Sequence, residues 1–317
     1  MCLSYRYLLP VLTALCCLGI SANAQSRKFK PQPLSPERLQ VFEDYAAQLR
    51  QLCESLYLDS VAEKRVAAAE AIRRVLPTAL SEPDAQRYRF PQIDGLSILA
   101  PPDSSFRVFT WQLILNDTVS NYYGILQTTR TDEPRLIELQ DKSPNISEYD
   151  LLTERFGPDE WYGAVYYNIR QFDHPTLGRR YLLFGFNRYG FSERRKLIEV
   201  LGFGKNGEIE LGAPVFERKD RRPAYRVSLT YSAEGAVRLN YDEQYKMILF
   251  DHLIPIPNPI TGGLVNVTDG SYDGYRLEKG RWIFVNKVFN DVMDEAPRPA
   301  PVLDQRKGTD LFGRKKG

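Results

Sequence analysis

The stretch Asp269-Gly270-Ser271-Tyr272-Asp273-Gly274 sets oxygen-bearing side chains at alternate positions ahead of a glycine, the first half of a loop that wraps a hard cation such as calcium. The second half departs from that pattern. The twelfth position, where a bidentate carboxylate closes the coordination shell, is Gly280, and Glu278 comes two residues early. Asp269, Ser271 and Asp273 are candidate ligands of an irregular calcium site; the simpler expectation is Asp-Gly turns feeding a strand that begins at Tyr275. No other cofactor is indicated.

The remaining chemistry-bearing residues are sparse. The chain has two histidines, His174 and His252, and neither has the neighbours of a three-ligand zinc centre. Asp251-His252 resembles a base and its orienting acid, but adjacent strand residues point to opposite faces, so packing at a strand end is the expectation. Asp159, Glu160, Asp242, Glu243 and Asp251 are available for the two facing carboxylates of a glycosidase, and nothing in their spacing pairs them. Gly202-Phe203-Gly204 and Gly262-Gly263 do not open a helix, which argues against a phosphate cradle. A binding role is better supplied. Pro255 to Thr268 is longer than a hairpin needs, and long loops on rigid sheets carry recognition. Asn258 and Thr261 within it, and Tyr272 and Tyr275 beside it, are candidate binding residues. Tyr122-Tyr123 and Tyr166-Tyr167 each put one ring on either face of a strand, so some aromatic rings lie on a surface or under a helix.

The elements that must position these residues come in two kinds. Ser35-Pro36 is a helix cap followed by proline at the first helical position, and Leu39, Phe42, Tyr45, Leu49, Leu52 and Leu56 recur at helical spacing. Ser60-Val61-Ala62-Glu63 fits a capping box, and a second helix runs from it to Pro77, giving a helical hairpin over residues 35–80. From Leu96 the period changes to two. Arg107–Leu115 with Tyr122–Thr128, Trp161–Phe172 with Arg180–Arg188, Tyr225–Tyr231 with Val237–Tyr241, and Tyr275–Leu277 with Arg281–Phe284 read as hairpins. Asn206-Gly207 reads as a two-residue turn with both residues at positive φ. The expected fold is α+β, mainly β: a helical hairpin packed on a large antiparallel β-meander over residues 88–290, twisted or barrel-like. No fixed period supports a propeller.

The ends of the chain speak to destination. Arg6, the apolar run Leu8–Ile20 and Ser21-Ala22-Asn23-Ala24 form a signal peptide over residues 1–24, followed by an extended leader over 25–34. Three of the four cysteines fall in that signal, which leaves Cys53 and no internal disulfide; helical spacing makes Cys53 a packed thiol. The formal net charge is +2, which exerts no general pull on nucleic acid, and the expectation is no transmembrane segment in the mature chain. Residues 296–317 are polar and basic and are expected to be a disordered tail.

Several segments, FRVFTWQLILNDTVSNYYGILQ, EWYGAVYYNI, YLLFGFNRYGFSERRKLIEVLGF, LNYDEQYKMILFDHLIP and SYDGYRLEKGRWIFV, together resemble a group of uncharacterised exported proteins of Bacteroidota-type bacteria. The likeness covers residues 88–290 and implies a periplasmic or secreted location and no particular activity. Asp59-Ser60-Val61 and Asp117-Thr118-Val119 look like the sites at which such bacteria O-glycosylate exported proteins, making Ser60 and Thr118 candidate acceptors. The expected function is a non-catalytic binding or assembly module of the envelope, with an envelope protein or a glycan as partner. The alternative is a hydrolase acting on glycan or peptide through paired carboxylates.

Overall fold

The computed structural model describes residues 33–129, 135–217, 221–258 and 262–289, nearly all of them in the compact unit that starts at Leu34. The expected signal peptide (1–24), most of the expected leader, Thr261 and the expected tail (296–317) lie outside the described residues.

Two helices open this unit, α1 (Pro36–Leu58) and α2 (Ala62–Ser81). Ser35 caps α1 as expected, its hydroxyl accepting from Arg38 N at 3.3 Å. The capping box at α2 does not form. Val61 is the cap residue and no side chain caps the helix; Asp59 Oδ1 instead accepts from Val61 N at 3.0 Å. Pro77 does not end α2 either. Leu76, Ala79 and Leu80 on either side of it are buried, and that packing carries the helix through a proline.

Among the described residues the strands fall into three sheets, none closed on itself, and the class is α+β, mainly β. The first holds β1 (Ser97–Leu99), β2 (Phe106–Ile114), β3 (Ser120–Thr128) and β4 (Leu136–Gln140) in that order. The second has the order β10-β7-β6-β5, built from β5 (Val165–His174), β6 (Gly178–Asn187), β7 (Glu193–Phe203) and β10 (Val227–Ser232), with β8 (Ile209–Leu211) also paired to β7. The third has the order β11-β12-β13-β14-β9, from β9 (Phe216–Glu217), β11 (Leu239–Asp242), β12 (Met247–Pro257), β13 (Leu264–Glu278) and β14 (Arg281–Val285). All these pairings are antiparallel except β9 with β14. The meander is thus divided, and the expected hairpin of residues 225–241 is a crossing: β10 pairs with β7, and β11 pairs with β12. At Asn206-Gly207 only the glycine has positive φ, because the turn is a longer loop in which Gly204 N donates to Glu208 O at 2.9 Å. Lys279 and Gly280 both have positive φ and make the tight turn expected between β13 and β14.

Side-chain alternation stacks these pieces into layers. Phe109, Trp111, Leu113 and Ile125 on one face of the first sheet pack under α1 and α2, while Phe106, Val108, Tyr122 and Leu126 on its other face meet the second sheet. The second sheet is buried on both sides: Tyr181, Leu183, Leu197 and Leu201 face the first sheet, and Leu182, Phe184, Ile198 and Val200 face Ile248, Phe250, Tyr275 and Trp282 of the third. Among the apolar residues on the first-sheet side of β7 stands Glu199, fully buried, with Oε2 accepting from Arg226 Nε at 2.8 Å. Burial raises the Glu199 carboxyl above its usual value, against the pull of Arg226. Arg226 also donates to the carbonyls of Leu151 and Glu154, which ties the short helix α3 (Glu148–Thr153) to the core. No helix among the described residues is long and apolar enough to cross a membrane.

Candidate functional site, a groove where two sheet edges meet

An open groove of about 1300 Å³ lies between α1, the segment Phe90–Leu99, and the start of β5. Each wall has a local cause. Arg107 on β2 reaches under the chain to donate to the carbonyls of Ala85 and Tyr88 and to Gln127 Oε1, and its guanidinium lies 5.8 Å from the Phe90 ring. Burial lowers its pKa to about 10. This clamp holds the segment that leads into the groove. At Gly95 the chain passes the Tyr57 ring so closely that a Cβ would lie 2.2 Å from Cε2, and φ is +86°, so glycine is required twice over. Tyr57 hydroxyl donates to Gly95 O at 3.1 Å and lies 3.4 Å from Gln112 N, with its pKa pushed up to about 12 by burial.

The floor is formed where β5 of the second sheet crosses the face of β1 and β2. β1 and β5 are terminal strands of their sheets. Ser97 on β1 and its cross-strand partner Thr110 on β2 hold the backbone of Tyr166 on β5 over one face of that pair: Ser97 hydroxyl donates to Tyr166 O, and Tyr166 N donates to Thr110 Oγ1 at 3.0 Å. β1 lines the groove along its length and pairs on one side only, so its other edge carries backbone N–H and C=O groups with no strand opposite. In the same lining Gln112 Oε1, on β2, is buried without a hydrogen-bond partner. Phe90, Ile98, Val165, Tyr167 and Phe186 supply apolar surface, and Arg50, Glu54 and Asp94 stand at the exposed rim. Cys53, the one thiol in the lining, is 1 % exposed and has its pKa pushed up to about 12 by burial, which leaves it un-ionised and inert. The groove is equipped for non-covalent recognition.

The residues singled out in the sequence lie elsewhere. Asp269, Ser271 and Asp273 belong to β13, at a bulge where the single residue His252 of β12 faces the three residues 269–271. Asp269 Oδ1 accepts from the N–H and the hydroxyl of Ser271, and these bonds hold its carboxyl below the usual value. Asp273 Oδ2 is 2.8 Å from His252 Nδ1, and its Oδ1 accepts from Lys287 N at 2.9 Å. Asp269 Oδ2 lies 4.0 Å from His252 Nε2. The histidine therefore bridges two carboxylates proposed as calcium ligands, and both oxygens of Asp273 are already engaged. The pairing of His252 is with Asp273 and not with its neighbour Asp251, whose Oδ2 accepts from Arg238 N.

Beyond this bulge β12 and β13 continue as a two-stranded ribbon, Leu253–Pro257 against Leu264–Thr268, where the sequence suggested an irregular loop. Asn258 closes it, its N–H donating to Gly263 O at 2.8 Å and its carbonyl accepting from Gly262 N. Asn266 Nδ2 ties it to Thr230 O on β10 at 2.9 Å. Ile254, Ile256 and Leu264 are exposed on it. Tyr272 is half-buried against Phe289, whereas Tyr275 is 1 % exposed between Phe216, Phe250 and Phe284, which makes it a core residue and removes it from any surface site. The five carboxylates considered for a glycosidase do not meet in the groove: Glu243 is paired with Arg170, and Asp242 Oδ1 caps the turn at Gln244 and Tyr245.

Ser60 and Thr118 are exposed in neighbouring turns. Arg65 joins the two, donating to the carbonyls of Asp59 and Ser60 in the helix connection and to those of Ile114 and Leu115 before the β2–β3 turn.

Compared with known protein families, curated proteins and solved structures, the chain matched none of them.

Proposed function

We propose that this is an exported, envelope-associated protein of the Bacteroidota-type group its segments resemble, and that it works by binding a partner in the groove between α1, β1 and β5. The observation that supports this reading most is the groove's make-up: aromatic and aliphatic walls, an acceptor left over on Gln112, a free strand edge, and a thiol too buried to react. Glu54 is exposed on α1 at the groove, and Leu264 is exposed on the ribbon. A photo-crosslinking residue placed at each position in turn, in intact source cells, tests the assignment. The expected result is a discrete adduct from position 54. Adducts from position 264 alone would move the binding site to the ribbon.

Export is tested by the mature mass, which for cleavage after Ala24 begins at Gln25. The same mass reads O-glycosylation: the exposure of Ser60 and Thr118 supports modification there, and a mass equal to the bare chain would rule it out. A hydrolase using paired carboxylates is the second reading. Asp269 and Asp273 on either side of His252 are the observation in its favour. Asp269→Asn with Asp273→Asn would then abolish hydrolysis of glycan or peptide substrates while leaving the adduct at position 54 intact.

A further inference from the structure

β1 leaves one strand edge unpaired inside a concave, largely apolar groove, and the lining of the same groove holds a buried acceptor, Gln112 Oε1 on β2, without a donor. A compact apolar ligand would satisfy neither feature. A chain of alternating N–H and C=O groups satisfies both, because it can continue the sheet past β1 and give one further N–H to Gln112. We propose, resting on the reading of the groove as the binding site, that its ligand is an extended polypeptide segment that adds to the edge of β1 and seats an apolar side chain against Tyr57, Phe90 and Phe186.

A strand edge on the ribbon supports this choice by contrast. On the ribbon, Pro255 and Pro257 lie two apart in β12 and face Asn266 and Leu264. Residues two apart direct their N–H groups to the same side, so two prolines strip that edge of donors, the usual way of blunting an edge against strand addition. β1 reads Ser97-Ile98-Leu99 and keeps every N–H. β1 is short, so its backbone bonds are few and the pocketed side chain must supply the rest of the affinity.

The test is a selection of random ten-residue linear peptides on the purified full-length chain. Selected peptides are then measured by fluorescence anisotropy against the native protein and against Glu54→Trp, which fills the groove from an exposed helix position without touching the core. The expected result is a shared apolar residue among the selected peptides and at least a tenfold loss of affinity with Glu54→Trp. N-methylation of the peptide should weaken binding tenfold at alternate residues and leave the residues between unaffected. Binding lost with Glu54→Trp but indifferent to N-methylation would overturn strand addition and leave the groove as a site. No peptide binding, together with a fluorescent anilinonaphthalene sulfonate that binds the native protein and not Glu54→Trp, would do the same in favour of a small apolar ligand. Peptides that bind equally to both proteins would overturn this inference and the assignment of the groove together.

Discussion

The groove and the ribbon both present a strand edge to which no further strand is paired, yet the chain treats them oppositely. In the groove, β1 and β5 are backed by the interior between the first two sheets, with Tyr166 held by Ser97, Thr110 and, through its hydroxyl at 2.8 Å, by the Trp161 indole. On the ribbon, two strands leave the third sheet at a bulge and are tied down by Asn266 and by the contacts of His252. A rigid edge with its hydrogen-bonding groups intact suits recognition, whereas an exposed one stripped of donors suits staying alone in solution. Exposure of apolar residues therefore does not by itself mark a docking edge. Leu264 is 70 % exposed on the ribbon, beside the strand whose edge is blunted, while the residues of β1 are partly buried.

The frame behind the groove should give the largest response. Glu199→Ala or Arg226→Ala leaves a bare charge in the core and is expected to cost about 3–5 kcal/mol in urea denaturation; Glu199→Leu with Arg226→Met together should recover most of it. Gly95→Ala strains a left-handed residue and pushes into Tyr57, with an expected loss of about 1–3 kcal/mol and a loss of peptide affinity in the same protein. His252→Ala should cost about 1 kcal/mol and act locally. Amide exchange should quicken in residues 253–257 and 264–268 and stay unchanged in β6 and β7; equal quickening everywhere would show the ribbon to be part of the frame.

His174 closes the β5–β6 turn, with Nδ1 facing the N–H groups of Thr176 and Leu177, and burial followed by Arg281 and Arg180 lowers its pKa. The unfolded chain therefore takes up the proton first. The contribution of His174 is fully present above its unfolded pKa of about 6.5, and is lost as pH falls through the lower folded value. Thermal melts between neutral and mildly acid pH should show that decline in the native protein and a flatter profile in His174→Asn. Pro255→Val with Pro257→Val should change stability least, by about 0.5 kcal/mol or less. It should nevertheless bring concentration-dependent association in sedimentation velocity, because the ribbon regains its donors.

The helices and the sequential hairpins were legible because each depends on local pattern. Ser35-Pro36 caps α1, and Lys279-Gly280 makes a tight turn, wherever the rest of the chain goes. Alternation shows that a strand has a buried face but does not name the sheet it joins, so β10 and β11 looked like partners although Val227 pairs with Ile198 and Leu239 with Phe250. Tyr275 shows the same limit from the other side, since an aromatic beside a turn looks the same whether the third sheet covers it or not. His252 and Asp273 were out of reach because a bulge changes which residues face each other, and a bulge leaves a trace no stronger than Gly270 at positive φ. The groove had no sequence signature at all. Its walls come from residues 50–58, 90–99, 112, 165–167 and 186, brought together only by the stacking of two sheets.

The layers follow chain order: helices and first sheet up to Gln140, second sheet from Val165 to Ser232, and third sheet from Leu239 to Val285, with β9 alone reaching ahead to β14. A polypeptide delivered amino end first, as through a translocation channel, can complete each layer on one already finished, without holding long stretches in reserve. Pulled from the carboxyl end, the same arrangement should peel in reverse, giving up the third sheet and its ribbon as one mechanical event. The groove, whose lining residues all lie outside the third sheet, should lose at that first rupture only the bond from Tyr167 hydroxyl to Leu239 O and keep its walls.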